Sequence, residues 1–481
     1  MTEHTVTFPS AAEQRAAGAE SRTRVPVSDH AGWVPVTDRP DPVAVLAEQN
    51  LTREQDLVPV RHGRMMVSPF TFYRGAAAIM AADLASTPTA GLQVQLCGDA
   101  HLSNFGLFGS PERRLVFDLN DFDETLPGPF EYDVKRMAAS FTIACNNNGV
   151  TKKQARDITA ASVRAYREAM DSFARMSTME LWYAHLAETD IRTQLDATRA
   201  GTRHKHTKKD KDKSSRKPTA GEKAMTKAHT RDSLQALSKL GERVDGRYRI
   251  VSQPPVVVPI REWSAMYDLP LDNLEDGIRE LFRDYRGTLQ DDRRHLLERF
   301  EVIDIARKVV GVGSVGTRAF IVLLQGKDES DPLFLQVKEA TRSVLEDHLP
   351  KSRYRNPGER VVQGQRMMQA ASDIYLGWSK GIQADRYFYW RQLRDMKASA
   401  VVESMIPFGL SLYAKLCGWT LARAHARSGD VIALHEYLGT DDAFDNAIAD
   451  FSARYADQNE KDYQAFTAAV QSGRIPAVQG V

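Results

Sequence analysis

The run VVGVGSVGTRAFIVLLQG, residues 309–326, constrains the fold of this chain more than any other stretch. Gly311, Gly313 and Gly316 satisfy G-x-G-x-x-G, but the residues after them, 319–324, are apolar and β-branched and continue as a strand. A dinucleotide site requires a helix at that point, so a Rossmann-type unit is not expected. Strand, glycine turn and strand instead describe a hairpin flap. Its backbone at Gly311, Gly313, Ser314 and Gly316 can approach a phosphate with no side chain intervening. On the motif alone, an ordinary glycine-rich hairpin remains open.

The next apolar run, PLFLQVKEA, is interrupted by Lys338. A lysine on the strand that follows the glycine hairpin occupies the place of the kinase V-A-I-K lysine, where it faces the α- and β-phosphates and is held by a helix glutamate. Glu359, opening ERVVQGQRMMQAA, is the first candidate for that partner and Glu346 the second. An edge-strand lysine on the surface is the alternative.

Well before the glycine run, LCGDAHLSNFG (residues 96–106) places Asp99, His101 and Asn104 on a loop after a strand predicted at residues 92–97. A second short strand, residues 115–119, ends in the carboxylate burst DLNDFDE. An acid able to accept a hydroxyl proton, an Asn carbonyl five residues on, and a further Asp after a hairpin are the parts that hold a hydroxyl and Mg²⁺ at a γ-phosphate. Either Asp118 or Asp121 can sit at the strand end as the metal ligand.

Composition removes other classes. With 64 Lys and Arg against 63 Asp and Glu, the chain has no overall field for nucleic acid. The basic stretch 203–217 carries no interleaved aromatics, so it reads as a solvated, disordered insertion and nucleic acid is not expected as a partner. Cys97, Cys145 and Cys417 are too few and scattered for a disulfide framework or zinc site. No secretory signal and no apolar run of about 20 residues is found, so a cytoplasmic, non-membrane protein is expected. H-E-x-x-H and G-x-S-x-G are absent, and His425, inside a helical pattern, reads as structural. Periodicity divides the chain into a flexible leader (1–40), a first helical part bearing the carboxylate loops (41–301), a strand-rich part (302–395) and a helical completion (396–481). An extended piece is expected at residues 65–72.

GDAHLSNFG resembles the H-G-D-x-H-x-x-N loop of aminoglycoside phosphotransferases and related small-molecule kinases, with Cys97 in place of the leading histidine. NDFDETLPGPFEYD resembles their magnesium-binding segment. PFTFYRGAAAIMAADLA, DVKRMAAS, RVVQGQRMMQAASDIYLGW and YWRQLRDMK add a closer resemblance, from about residue 50 onward, to the uncharacterised bacterial DUF2252 family.

The resemblance implies an α+β, protein-kinase-like fold of two lobes using ATP and Mg²⁺. Asp99 would be the catalytic base, His101 would order its loop, and Asn104 and Asp121 would bind metal. Asp121 is preferred over Asp118 because its separation from Asp133 matches the phosphotransferase pattern. The glycine loop follows the catalytic loop, the reverse of a kinase, so a circular permutation is implied, with the helical stretch 408–426 standing where a kinase helix precedes the catalytic loop. The expected reaction is γ-phosphoryl transfer to the hydroxyl of a small molecule. AMP transfer on the same fold and a nucleotide-binding pseudokinase are the rivals, and the sequence leaves acceptor and oligomeric state open.

Overall fold

A computed structural model describes residues 9–193, 225–226, 228–230, 233–244, 246–262, 271–382, 385–393 and 396–480. The basic stretch 203–217 lies outside the described residues. The fold mixes helices with antiparallel sheets, as an α+β chain should. No described helix is long and apolar enough to cross a membrane.

The strand-rich part is one six-stranded antiparallel sheet. It consists of β8 (Val257–Pro259), β9 (Glu301–Lys308), β10 (Ala319–Gln325), β11 (Pro332–Glu339), β12 (Gly377–Lys380) and β13 (Tyr387–Gln392), in the order β12-β13-β11-β10-β9-β8. The glycine run joins β9 to β10 as a hairpin, with Phe320 opposite Arg307. The helix Pro357–Met368 lies between β11 and β12, capped by Asn356, whose side chain accepts from the N–H groups of Gly358 and Glu359. Because strand side chains alternate, Leu335 and Val337 of β11 pack into a core with Tyr285 and Trp390. The intervening Gln336 and Lys338 face the other way. The Tyr285 ring stacks on Trp390 at 4.5 Å. Tyr285 belongs to the helix Leu271–Gly287, so the sheet unit recruits chain well before residue 302.

The helical part is built from both flanks. The helix Glu131–Asn147 is buried along most of its length, and Lys152–Phe173 packs against Pro407–Ala426. A four-stranded sheet is formed by β2 (Phe105–Gly109), β3 (Leu115–Leu119), β5 (Leu186–Ala187) and β14 (Ala398–Ser399), and β1 (Gln93–Leu96) pairs with β4 (Leu126–Pro129). A small hairpin, β6 (Gly241–Val244) and β7 (Arg247–Ile250), completes the strands.

Two expectations are corrected. The leader is folded from Ser10 on: Ser10 and Glu13 form a capping box for the helix Ala11–Arg24, which packs on the helix Val431–Leu438. Trp33 is buried beside Phe451 and Tyr455. Residues 65–72 are not extended either, because Ser68 caps the helix Pro69–Gly75 with Pro69 at its first turn.

Candidate functional site

The two carboxylate loops meet because they flank one hairpin. Phe105 of β2 pairs with Leu119 of β3, so the residues just outside, Asn104 and Asn120, stand side by side, and the Asn120 N–H donates to the Asn104 carbonyl at 2.8 Å. Asp99 and Asp121 thereby line the same cleft, about 520 Å³ in volume, together with Asp123, Gly313 and Ser314. Asn104, whose carbonyl oxygen was the expected metal ligand, does not line this cleft; its amide nitrogen donates to the Asp99 carbonyl at 2.8 Å and fixes the loop.

The Asp99 loop is held by one face of the helix Glu131–Asn147. Residues three, four and seven apart on a helix share a side, and Asp133, Arg136 and Ser140 use it. The Asp133 carboxylate accepts from the N–H groups of Cys97 (2.7 Å) and Gly98 (3.0 Å), and Ser140 accepts from the Leu102 N–H. Arg136 donates through Nε to Asp99 Oδ1 at 2.8 Å while its guanidinium lies 3.8 Å from the Tyr73 ring centroid. Gly98 is required twice over: its φ is +84°, and a Cβ there would stand 2.2 Å from the Glu124 carbonyl oxygen. Burial pushes the Asp99 carboxyl above its ordinary value against the opposing pull of Arg136. His101, 3.7 Å from Asp99, is held well below its ordinary pKa by burial and by Arg74 and Arg136, so it stands neutral beside the acid. His425 is structural as read: its ring meets the Tyr166 hydroxyl (2.9 Å) and Asp133 (3.2 Å).

Lys338 sits differently from expectation. It is 2% exposed, and its partners are the two loop carboxylates, Asp123 Oδ2 at 2.5 Å and Asp121 Oδ1 at 3.6 Å. Tyr389, directly opposite it on β13, donates its hydroxyl to Asp123 at 2.6 Å. Burial opposes charge on Asp123, but Lys338 and Tyr389 outweigh it and hold that carboxyl below its usual range; burial and the neighbouring Asp123 raise Asp121. Glu359 therefore has no role at Lys338. Its helix presents Arg360 instead, which donates to the backbone carbonyls of Asp123, Thr125 and Thr341. Glu346 closes a capping box with Ser343. Lys338→Met is expected to cost about 2 kcal/mol, less than a fully buried pair because both carboxylates keep some water contact. The measurement is the urea unfolding curve.

Asp118 is likewise removed as a metal ligand. It is 1% exposed, ion-paired to Arg423, and accepts from the Ala370 N–H at 2.8 Å. Asp121 is the carboxylate left facing the cleft, and its Oδ1 has no hydrogen-bond donor. The glycine run divides. Gly313 and Ser314 face Asp99 and Asp121, while Gly311 lines an adjoining cleft of about 500 Å³ and Gly316 closes over Arg53. Asn120 and Gln336 also line that second cleft, one and three residues from Asp121 and Glu339 of the first. The two clefts are therefore lined by adjacent positions of the same segments. No group of three or more His, Cys, Asp or Glu able to hold a metal occurs among the described residues, a set that Mg²⁺ bound chiefly through phosphates and water does not need.

Sequence reasoning missed Asp123, Arg136 and the arginines Arg53, Arg61 and Arg74 of the first cleft. Only Asp123 had a local signal, its place two residues after Asp121. A family model described as "Uncharacterized protein conserved in bacteria (DUF2252)" matches residues 53–469. No curated protein and no solved structure matches the chain.

Proposed function

Since this chain belongs to the DUF2252 family, whose description names no activity, we propose its function from the clefts themselves: an ATP- and Mg²⁺-dependent transfer of the γ-phosphoryl group to the hydroxyl of a small molecule. The observation that carries this reading is the convergence of Asp99, Asp121 and the glycine-run residues Gly313 and Ser314 on one cleft. Phosphoryl transfer asks a protein mainly for positioning and charge, and these are the groups that supply both. The order of glycine hairpin, third-strand Lys338, helix and two further strands supports a kinase-like lobe, and carboxylate loops upstream of it fit a circular permutation.

Asp121, with a buried carboxylate oxygen free of donors, suits a magnesium ion whose remaining ligands are phosphates and water. Bound there, the metal would neutralise charge on the β- and γ-oxygens. Asp99 accepts the acceptor's proton, and Arg136 fixes the carboxylate in the orientation that receives it. Asn104 keeps the two loops in register. The second cleft, lined by Gly311, Gln336 and Leu393, is the space this reading gives to the base of the nucleotide.

A raised Asp99 pKa puts the acid limb of the pH–rate profile above the ordinary carboxylate range, because the base works only when deprotonated. Arg136→Gln removes a charge that lowers that pKa, so the limb is expected to move to higher pH and the rate at neutral pH to fall. A kcat/KM profile of both proteins checks the sign. The reading as a whole is tested by mass spectrometry of products from ATP, Mg²⁺ and a panel of hydroxyl acceptors. ADP with a phosphorylated acceptor supports it. Pyrophosphate with an adenylylated acceptor would replace it by AMP transfer, and unchanged ATP across the panel would refute it.

A further inference from the structure

Three arginines of the first cleft have no part in the scheme above. Arg53 precedes the helix Val58–Met65, Arg61 lies within it, and Arg74 sits near the end of the helix Pro69–Gly75. Among the described residues none of the three has a carboxylate within ion-pair distance, and the Nε of each is buried with no hydrogen-bond partner. Arg61 is spent on Asn50, Gln49 and the Gly75 carbonyl, and Arg53 gives one nitrogen to the Val315 carbonyl at 2.6 Å. Arg74 makes no side-chain hydrogen bond to any described residue.

Five of the carboxylates that share the cleft are ion-paired with other cations: Asp99 with Arg136, Asp121 and Asp123 with Lys338, Glu339 with Arg318 and Arg386, and Asp347 with Arg342. Glu48 and Glu124 also line it, and Glu124 acts on Arg53 from beyond ion-pair distance while accepting the Val344 N–H. The three guanidiniums bracket the tip of the glycine run. Arg53 holds Val315, and a Cβ on Gly313 would stand 3.0 Å from the Arg74 carbonyl oxygen. Arg74 is also close enough to Asp99 to draw its carboxyl downward against the burial that raises it. Guanidiniums with buried nitrogens and no carboxylate within ion-pair distance are costly, and planar N–H forks match phosphate and carboxylate oxygens.

We infer that Arg74 and Arg53, backed by Arg61, form an oxyanion site beside Asp99 that takes a phosphate or carboxylate group of a ligand. The site stands on its own residues, and it rests on the phosphotransfer reading only for the source of the anion: the phosphate chain of the nucleotide, or an anionic group on the acceptor. In the second case the acceptor is an acidic hydroxy compound or a phosphorylated alcohol.

The probe is inorganic pyrophosphate, titrated calorimetrically into the full chain without magnesium. Wild type is expected to bind, Arg74→Gln to weaken binding about tenfold or more, and Arg74→Lys to stay within about threefold. Melting curves check that Arg74→Gln is folded; if it is not, Arg53→Gln reads the same corner. Wild-type affinity in both Gln variants, or no pyrophosphate binding by wild type, would overturn the inference. Repeating the titration in saturating ADP separates the sources. Competition assigns the anion to the nucleotide, and undiminished pyrophosphate binding assigns it to the acceptor. A protein that binds pyrophosphate but no ADP keeps this site and loses the phosphotransfer reading, so the two fail separately.

Discussion

Asp99→Asn lowers transfer by about a thousandfold while Mg²⁺-dependent ATP binding stays within about twofold of wild type, the expected result for a carboxylate that acts on the acceptor only as the transferring state forms. Asparagine keeps the hydrogen bond from Arg136 but cannot take the proton. Asp121→Asn is expected to behave otherwise, losing transfer and also the dependence of ATP affinity on Mg²⁺, because a metal ligand organises the β- and γ-phosphates in the bound ground state as well. Calorimetric titration with ATP, with and without Mg²⁺, beside a turnover assay reads both variants. If the two mutants bind and turn over alike, Asp99 and Asp121 do not have separate roles and the assignment falls.

Arg423→Leu is expected to remove about 3–5 kcal/mol of stability, the largest effect of any single substitution considered, because it leaves the Asp118 carboxylate buried without its counter-charge. Both side chains are 1% exposed, and Asp118 also accepts the N–H of Ala370 beyond the helix Pro357–Met368. Arg423 donates as well to the Met368 carbonyl, so the pair ties the sheet unit to the helical body. Replacing both, as Asp118→Leu with Arg423→Leu, should cost less than the sum of the single changes, since no bare charge is then left inside. Urea unfolding of the four proteins measures the coupling. A single Arg423→Leu within about 1 kcal/mol of wild type would show that water reaches Asp118.

What was legible in the sequence was local. The strand at residues 115–119, the strand flanks of the glycine run and the Asp99-to-Asn104 spacing are written in neighbouring residues, and the structure has β3, a β9–β10 hairpin and a single loop there. What could not be read depends on contacts across long separations. Lys338 meets Asp123 across 215 positions, and nothing near either residue announces it. Expecting Glu359 as the partner followed from analogy with a helix carboxylate, but that helix delivers Arg360 to backbone oxygens and Lys338 is already neutralised from below. Asp118 and Asp121 are equivalent as letters; they differ only because the strand turns Asp118 inward to Arg423 while Asp121 lies past the strand end. The folded leader was a signal overlooked rather than hidden, since Ser10, Ala11, Ala12 and Glu13 spell a capping box.

The tie between Asp118 and Arg423 spans 305 positions, and this sets a clock on synthesis. At about 5–20 residues per second a ribosome takes roughly 15 to 60 s to pass from one to the other. For most of that interval β3 and the helix Lys152–Phe173 have been made without the helix Pro407–Ala426 that covers them. The front of the chain cannot finish folding as it is made, and its apolar faces wait for a partner encoded some 250 codons later. Slowed translation is therefore expected to harm its yield more than it harms that of a protein whose domains close in order.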